Sequence, residues 1–186
     1  KRAGTELEAK VVPAPAPAST GEISLEELSS RLSREPELAT AFLALPPGEL
    51  DRQIFPAVLE AVRSLLREDP ARADLQFLAS RLADRLGDAD RSLEHVRQAL
   101  ELNPRYTDAL IHLAGLYSRS GRRAEAISRL KTAVALGANY PDVHYTLGQL
   151  FQQLGHLGEA RVHYRRALAI NSNYAAAKEA LAALAA

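Results

Sequence analysis

A 34-residue period runs through residues 73–174 of this 186-residue chain. The segments 73–106, 107–140 and 141–174 follow one another without insertion. Tyr106, Tyr140 and Tyr174 close them, and Gly87, Gly121 and Gly155 stand at the fifteenth position of each. Leu82, Leu116 and Leu150 recur at the tenth position, and Ala99, Ala133 and Ala167 at the twenty-seventh. Columns in phase at one period of this size require stacked copies of a single supersecondary unit.

Each unit reads as two helices joined by a glycine turn. The first helix takes roughly the first fourteen positions and the second positions 18–31. Glycine at position 15 suits a left-handed helix C-cap, which costs it nothing sterically. The middle unit presents Leu110, Leu113, Leu116 and Tyr117 from its first helix, and Ala126, Leu130, Ala133 and Leu136 from its second. Position 8 stays small (Ser80, Ala114, Gly148, Ala182), which places a close helix approach there. One such pair cannot bury both apolar faces alone, so neighbouring pairs must stack.

These columns resemble the tetratricopeptide repeat. The third unit carries Leu147, Gly148, Phe151, Ala160, Tyr164 and Ala167 at that family's signature positions, and the second carries Leu110, Leu113, Ala114, Tyr117, Ala126 and Ala133. The first is more divergent but keeps Ala99 and Pro104. The resemblance implies an all-α, right-handed helical-repeat solenoid. It also implies a non-catalytic scaffold or adaptor of bacterial type, binding a peptide or helix of a partner protein in a concave groove of first helices. The groove positions fall on Phe77, Arg81, Arg85, Ile111, His112, Arg119, Tyr145, Gln149 and Gln153. Phe77, Ile111 and Tyr145 make an apolar column at position 5, which would either meet ligand or pack against the next repeat. The arginines beside it suit a ligand carboxylate.

The resemblance also excludes two ligand modes. Repeats that clamp acidic heat-shock-chaperone tails use Lys, Asn and Arg at columns where this chain has Phe77, Arg81, His112, Asp142 and Thr146. The asparagine ladder of glycosyltransferase-linked repeats is replaced by Leu78, His112 and Thr146.

Around the repeats, residues 1–23 contain Pro13-Ala14-Pro15-Ala16-Pro17 and read as an extended linker to a further N-terminal domain. Residues 24–72 read as a divergent helical cap. Ser24 and Glu27 form a capping box, a short helix is expected from Pro36 to about Leu45, and Pro46-Pro47-Gly48 is a turn. A longer helical pattern runs from Glu49 to Arg67, with Pro56 expected to kink or split it. Residues 175–186 continue the register as a capping helix whose outer face carries only Lys178 and Glu179 as charges. Homo-oligomerisation through this sparsely charged last helix or through the N-terminal helices is an alternative function, and occlusion of the groove by residues 24–45 is another.

Composition narrows the function classes. With 34 Ala and 30 Leu the chain favours helix. There is no Cys, hence no disulfide or thiolate chemistry. The 23 basic and 23 acidic residues cancel, and residues 73–186 carry only 14 basic against 11 acidic groups, too mild for a phosphate-tracking groove. No nucleic acid, membrane insertion, metal or cofactor is expected. The column Asp74, Asp108 and Asp142 falls in the first turn of successive helices, where negative charge complements the helix dipole. The five histidines fit no catalytic or metal motif, and His144 at the large-residue position 4 reads as structural.

Overall fold

The computed structural model describes residues 50–184 and, ahead of them, Glu27, Ser30, Arg31, Arg34, Glu35, Leu38 and Leu43. The linker, the Ser24 cap, the Pro46-Gly48 turn and most of the expected Pro36–Leu45 helix lie outside the described residues. Over residues 50–184 eight helices follow in order: α1 Leu50–Glu68, α2 Ala73–Arg85, α3 Ala89–Leu102, α4 Thr107–Arg119, α5 Arg123–Ala135, α6 Pro141–Gln153, α7 Leu157–Ile170 and α8 Ala175–Ala183. No strand occurs among the described residues. The architecture is an all-α helical-repeat solenoid.

Helix ends follow the period. Gly87, Gly121 and Gly155 have φ of +81°, +77° and +78°, so the chain leaves α2, α4 and α6 through a left-handed residue. The Gly87 N–H donates to Asp84 O at 3.0 Å and the Asp88 N–H to Ala83 O at 2.9 Å. The same pair of bonds recurs after α4, from Gly121 and Arg122, and after α6, from Gly155 and His156. These bonds satisfy carbonyls that a helix end leaves orphaned. The second helices end differently. Asn103 and Asn171 turn the chain with their own side chains, each accepting from the N–H two residues on. Gly137 takes that position in the middle unit, with φ +104°. There Ala138 is buried and Tyr140 is 49% exposed.

Burial places the core between helix pairs. One cluster runs from Val96 on α3 through Leu113, Leu116 and Tyr117 on α4 and Leu130 on α5 to Leu147, Phe151 and Tyr164 on α6 and α7. Ala180, Leu181 and Leu184 of the last helical segment pack against it. A second cluster joins Phe55, Val58, Leu59, Val62 and Leu66 of α1 to Leu75, Leu78, Ala79 and Leu82 of α2. Leu43 is buried in this cluster and Leu38 packs against it. Two residues of the segment considered for occluding the groove thus contribute to the α1–α2 core.

Position 8 explains its own composition. A Cβ on Gly148 would lie 2.5 Å from Cε1 and 2.6 Å from Cδ1 of Tyr164. The tyrosine ring of α7 therefore lies directly on the α6 backbone. Pro56 does not split the helix, since α1 continues through it. It stands in the second turn, so its missing N–H removes a single backbone bond near the helix start.

Candidate ligand groove

The expected groove residues sit on α2, α4 and α6 at equivalent heights, since these helices start 34 residues apart. Phe77, Arg81 and Arg85 come from α2; Ile111, His112 and Arg119 from α4; Tyr145, Gln149 and Gln153 from α6.

The position-5 column is built into the seams between pairs. The Phe77 ring lies 4.9 Å from Tyr106 and 5.9 Å from His112, both on the next unit or at its entrance. Tyr145 lies 5.7 Å from Tyr164 and 5.3 Å from Tyr174. Ile111 packs on the core formed by Leu110, Ala133 and Ala138. All three are half-buried, so packing claims much of each side chain and leaves an edge outward.

The polar groove residues differ in how far they are committed. Arg119 forms an ion pair with Asp84 across the seam from α4 to α2. Arg85 lies 5.3 Å above the Phe55 ring of α1. Gln153 accepts a bond from Arg123 Nε at 2.9 Å, and Gln149 donates from Nε2 to Tyr145 Oη at 3.0 Å. Arg81 lies 5.9 Å from the Phe77 ring centroid and has no ion pair among the described residues.

His112 is a seam residue more than a ligand donor. Its Nε2 is 3.3 Å from Ser92 Oγ, and Ser92 in turn meets Ser80 Oγ at 3.1 Å. Burial pushes His112 down to about 4, with Arg119 and Arg81 adding to the fall against the opposing pull of Asp84. The imidazole is neutral at pH 7.

A second polar feature escapes sequence reading. His144 Nδ1 and His163 Nδ1 are 3.2 Å apart, and His144 Nε2 donates to Asn139 Oδ1 at 2.8 Å. With that nitrogen donating, neutral His144 accepts at Nδ1, so His163 donates. The His163 ring also stacks on Phe151, centroids 5.4 Å apart, and Lys131 Nζ lies 5.1 Å from that Phe151 ring. Burial pushes His163 down to about 4, and His144, Arg166 and Lys131 push the same way. Gln76 and His95 form the equivalent pair two units earlier, His95 Nδ1 meeting Gln76 Oε1 at 2.8 Å. The signal for both was a separation of nineteen residues, joining repeat positions 4 and 23. The described residues contain no group of three or more His, Asp or Glu placed to hold a metal ion. Their buried side-chain polar atoms all have hydrogen-bond partners. Among them no helix is long and apolar enough to cross a membrane.

Comparison with known proteins agrees with this geometry. Among curated proteins, none matches the chain. The chain superposes on TTC0263, a thermophilic TPR protein of Thermus thermophilus, with a TM-score of 0.62 at 23% identity, covering 87% of this chain and 88% of that one. It superposes on YrrB, described as a TPR protein with an unusual peptide-binding site, with a TM-score of 0.64 at 18% identity, covering 84% and 80%. The first TPR of Spaghetti (RPAP3), bound to the HSP90 peptide SRMEEVD, gives 0.58 at 23% identity, covering 63% and 93%. The family model described as tetratricopeptide repeat matches residues 85–150 and again 119–184, together more than half of the chain. This protein belongs to the tetratricopeptide repeat family.

Proposed function

We propose that this protein is a non-catalytic interaction module whose α2, α4 and α6 face binds a peptide or helix of a partner protein. In this reading residues 73–106, 107–140 and 141–174 are the three repeats. Residues 24–72 cap the front of the solenoid and 175–186 cap its end. The supporting observation is Arg81. It lies over the Phe77 ring with no ion pair among the described residues, while Arg119 on α4 is held by Asp84. A partly exposed guanidinium over an aromatic ring suits a ligand that offers a carboxylate and an apolar side chain together.

Similarity to the peptide-bound Spaghetti structure supports peptide binding as a class. The ligand chemistry differs, because Phe77, Arg81, His112, Asp142 and Thr146 occupy the columns that would clamp an acidic chaperone tail.

The test uses random dodecapeptides displayed on phage and selected against the full chain. Affinities of the selected peptides are then measured for wild type, Arg81→Glu and Gln149→Lys. These positions are partly or fully exposed, so the fold is retained, in contrast to alanine at Phe77, Ile111 or Tyr145. At least about a tenfold loss in both variants is expected, roughly the weight of one charge-assisted contact. Failure to select any peptide, or unchanged affinity in both variants, removes this reading.

A further inference from the structure

The second helices α3, α5 and α7 each present an outer stripe at repeat positions 18, 22, 25, 26 and 29. On α3 the stripe holds Asp90, Glu94, Arg97, Gln98 and Glu101. On α7 the same positions hold Gly158, Val162, Arg165, Arg166 and Ala169. The repeat has therefore kept its packing columns while reversing the charge of its outer face.

Among the described residues, both ends of this gradient lack an ion-pair partner. Asp90, Glu94 and Glu101 are exposed and make no ion pair among the described residues. The same is true of Arg165 and Arg166, and of Arg129 on neighbouring α5. Elsewhere on these helices arginines do find local partners, as Arg91 does in Asp88 and Arg122 in Glu125.

Shape complements charge. The α3 stripe forms a shallow, open depression lined by Asp90, Leu93, Glu94, Arg97, Gln98 and Glu101. The α7 stripe carries an apolar projection instead, with Val162 51% exposed. Gly158 and Ala169 flank it and leave room for a second helix to come close. The net charge of zero sets no long-range repulsion between copies.

We propose that α7 of one copy docks on α3 of a second copy. Val162 enters the α3 depression beside Leu93, and Arg165 and Arg166 reach Asp90, Glu94 and Glu101. The contact uses the outer face of the second helices and is independent of the ligand groove, so a chain can hold a peptide and a neighbour together. Its ion pairs are rim-type and exposed, so the association is salt-sensitive. At physiological ionic strength only pairs within about 8 Å escape screening. An α3-to-α7 contact joins different patches and propagates as open chains, unless two copies exchange it reciprocally and close as a dimer.

The experiment is sedimentation velocity on the full chain over a concentration series at low and high salt. It includes an Arg165→Glu/Arg166→Glu variant, a Glu94→Arg/Glu101→Arg variant, and their equimolar mixture. Wild type gains mass with concentration at low salt and loses the gain at high salt. Each variant alone stays monomeric, and the mixture regains association because the unaltered α3 of one variant meets the unaltered α7 of the other, while their two reversed faces also complement one another. Circular dichroism verifies folding, and Arg165→Gln/Arg166→Gln replaces the first variant if it does not fold. A monomeric wild type at all concentrations overturns the proposal. So does a variant that associates as wild type does, or a mixture that stays monomeric. Retention of polyglutamate or duplex DNA by a strictly monomeric chain gives the basic face to another partner and likewise overturns it.

Discussion

Replacing Gly148 by Ala places a methyl group against the Tyr164 ring, and the sign of its effect tests how α6 and α7 meet. The added Cβ would lie 2.5 Å from Cε1, 2.6 Å from Cδ1 and 3.0 Å from Cζ. The ring cannot swing away cheaply, since Tyr164 is 1% exposed and its hydroxyl donates to Gln152 Oε1 at 2.6 Å. Overpacking of this kind costs about 1–3 kcal/mol. Glycine to alanine within a helix returns up to about 1 kcal/mol. The net expectation is a loss of up to about 2 kcal/mol, or up to about 8 °C in melting temperature. The sister units carry Ala114 with Leu130 and Ser80 with Val96 at the same two columns, which suggests the compensating change. In a Tyr164→Leu background the obstructing ring atoms are gone. There Gly148→Ala is expected to stabilise by about 0.5–1 kcal/mol. Urea unfolding of the four proteins, followed by circular dichroism, gives the coupling energy of the cycle. A stabilising Gly148→Ala in the wild-type chain, or the same effect in both backgrounds, refutes the argument that the ring is what excludes a side chain.

Leu113 and Leu147 lie in the core at 3% and 0% exposure, so alanine at either is expected to cost about 2–5 kcal/mol in urea unfolding. Gly121 has φ +77° and open space around its Cβ position, so Gly121→Val is penalised by backbone strain alone, about 1–2 kcal/mol or somewhat more for a β-branched residue. His112 and His163 both fall to about 4 from an ordinary 6.5. The unfolded chain takes up those protons at higher pH than the folded one does. Stability is therefore full above pH 6.5 and declines as pH falls from 6.5 towards 4. Melting temperatures across that window should show the slope, and His112→Gln should reduce it.

Much of the fold was legible because a repeat states its constraints several times. Gly87, Gly121 and Gly155 announced their left-handed turns, and each has positive φ. Ala99, Ala133 and Ala167 announced a close contact, and each is fully buried. The groove was legible only as a set of columns. A column cannot tell whether Phe77 faces a ligand or its neighbour Tyr106, because both uses ask for the same aromatic side chain. Nor could it show that Arg119 is engaged by Asp84, since that pair spans 35 residues and depends on how far one helix pair turns against the next. The helix is not split at Pro56. Expecting a split weighs the lost backbone bond alone, whereas the α1 face carrying Phe55, Val58, Leu59 and Val62 is held by the α2 cluster.

The helix pair, its period and its turns were already written in the order of the residues, because they follow from local backbone preference and the spacing of apolar side chains within one unit. Which polar groups satisfy one another across seams emerged only when the pairs were stacked. Stacking paired His144 with His163, engaged Arg119 and left Arg81 without an ion pair among the described residues. It also turned outward Asp90, Glu94 and Glu101 of α3 and Arg165 and Arg166 of α7, which have no ion pair among the described residues. The reason is physical: hydrogen bonds and ion pairs have reaches of about 3–4 Å. At that range, partners are set by the rotation of one helix pair on the next, a quantity that no single repeat encodes.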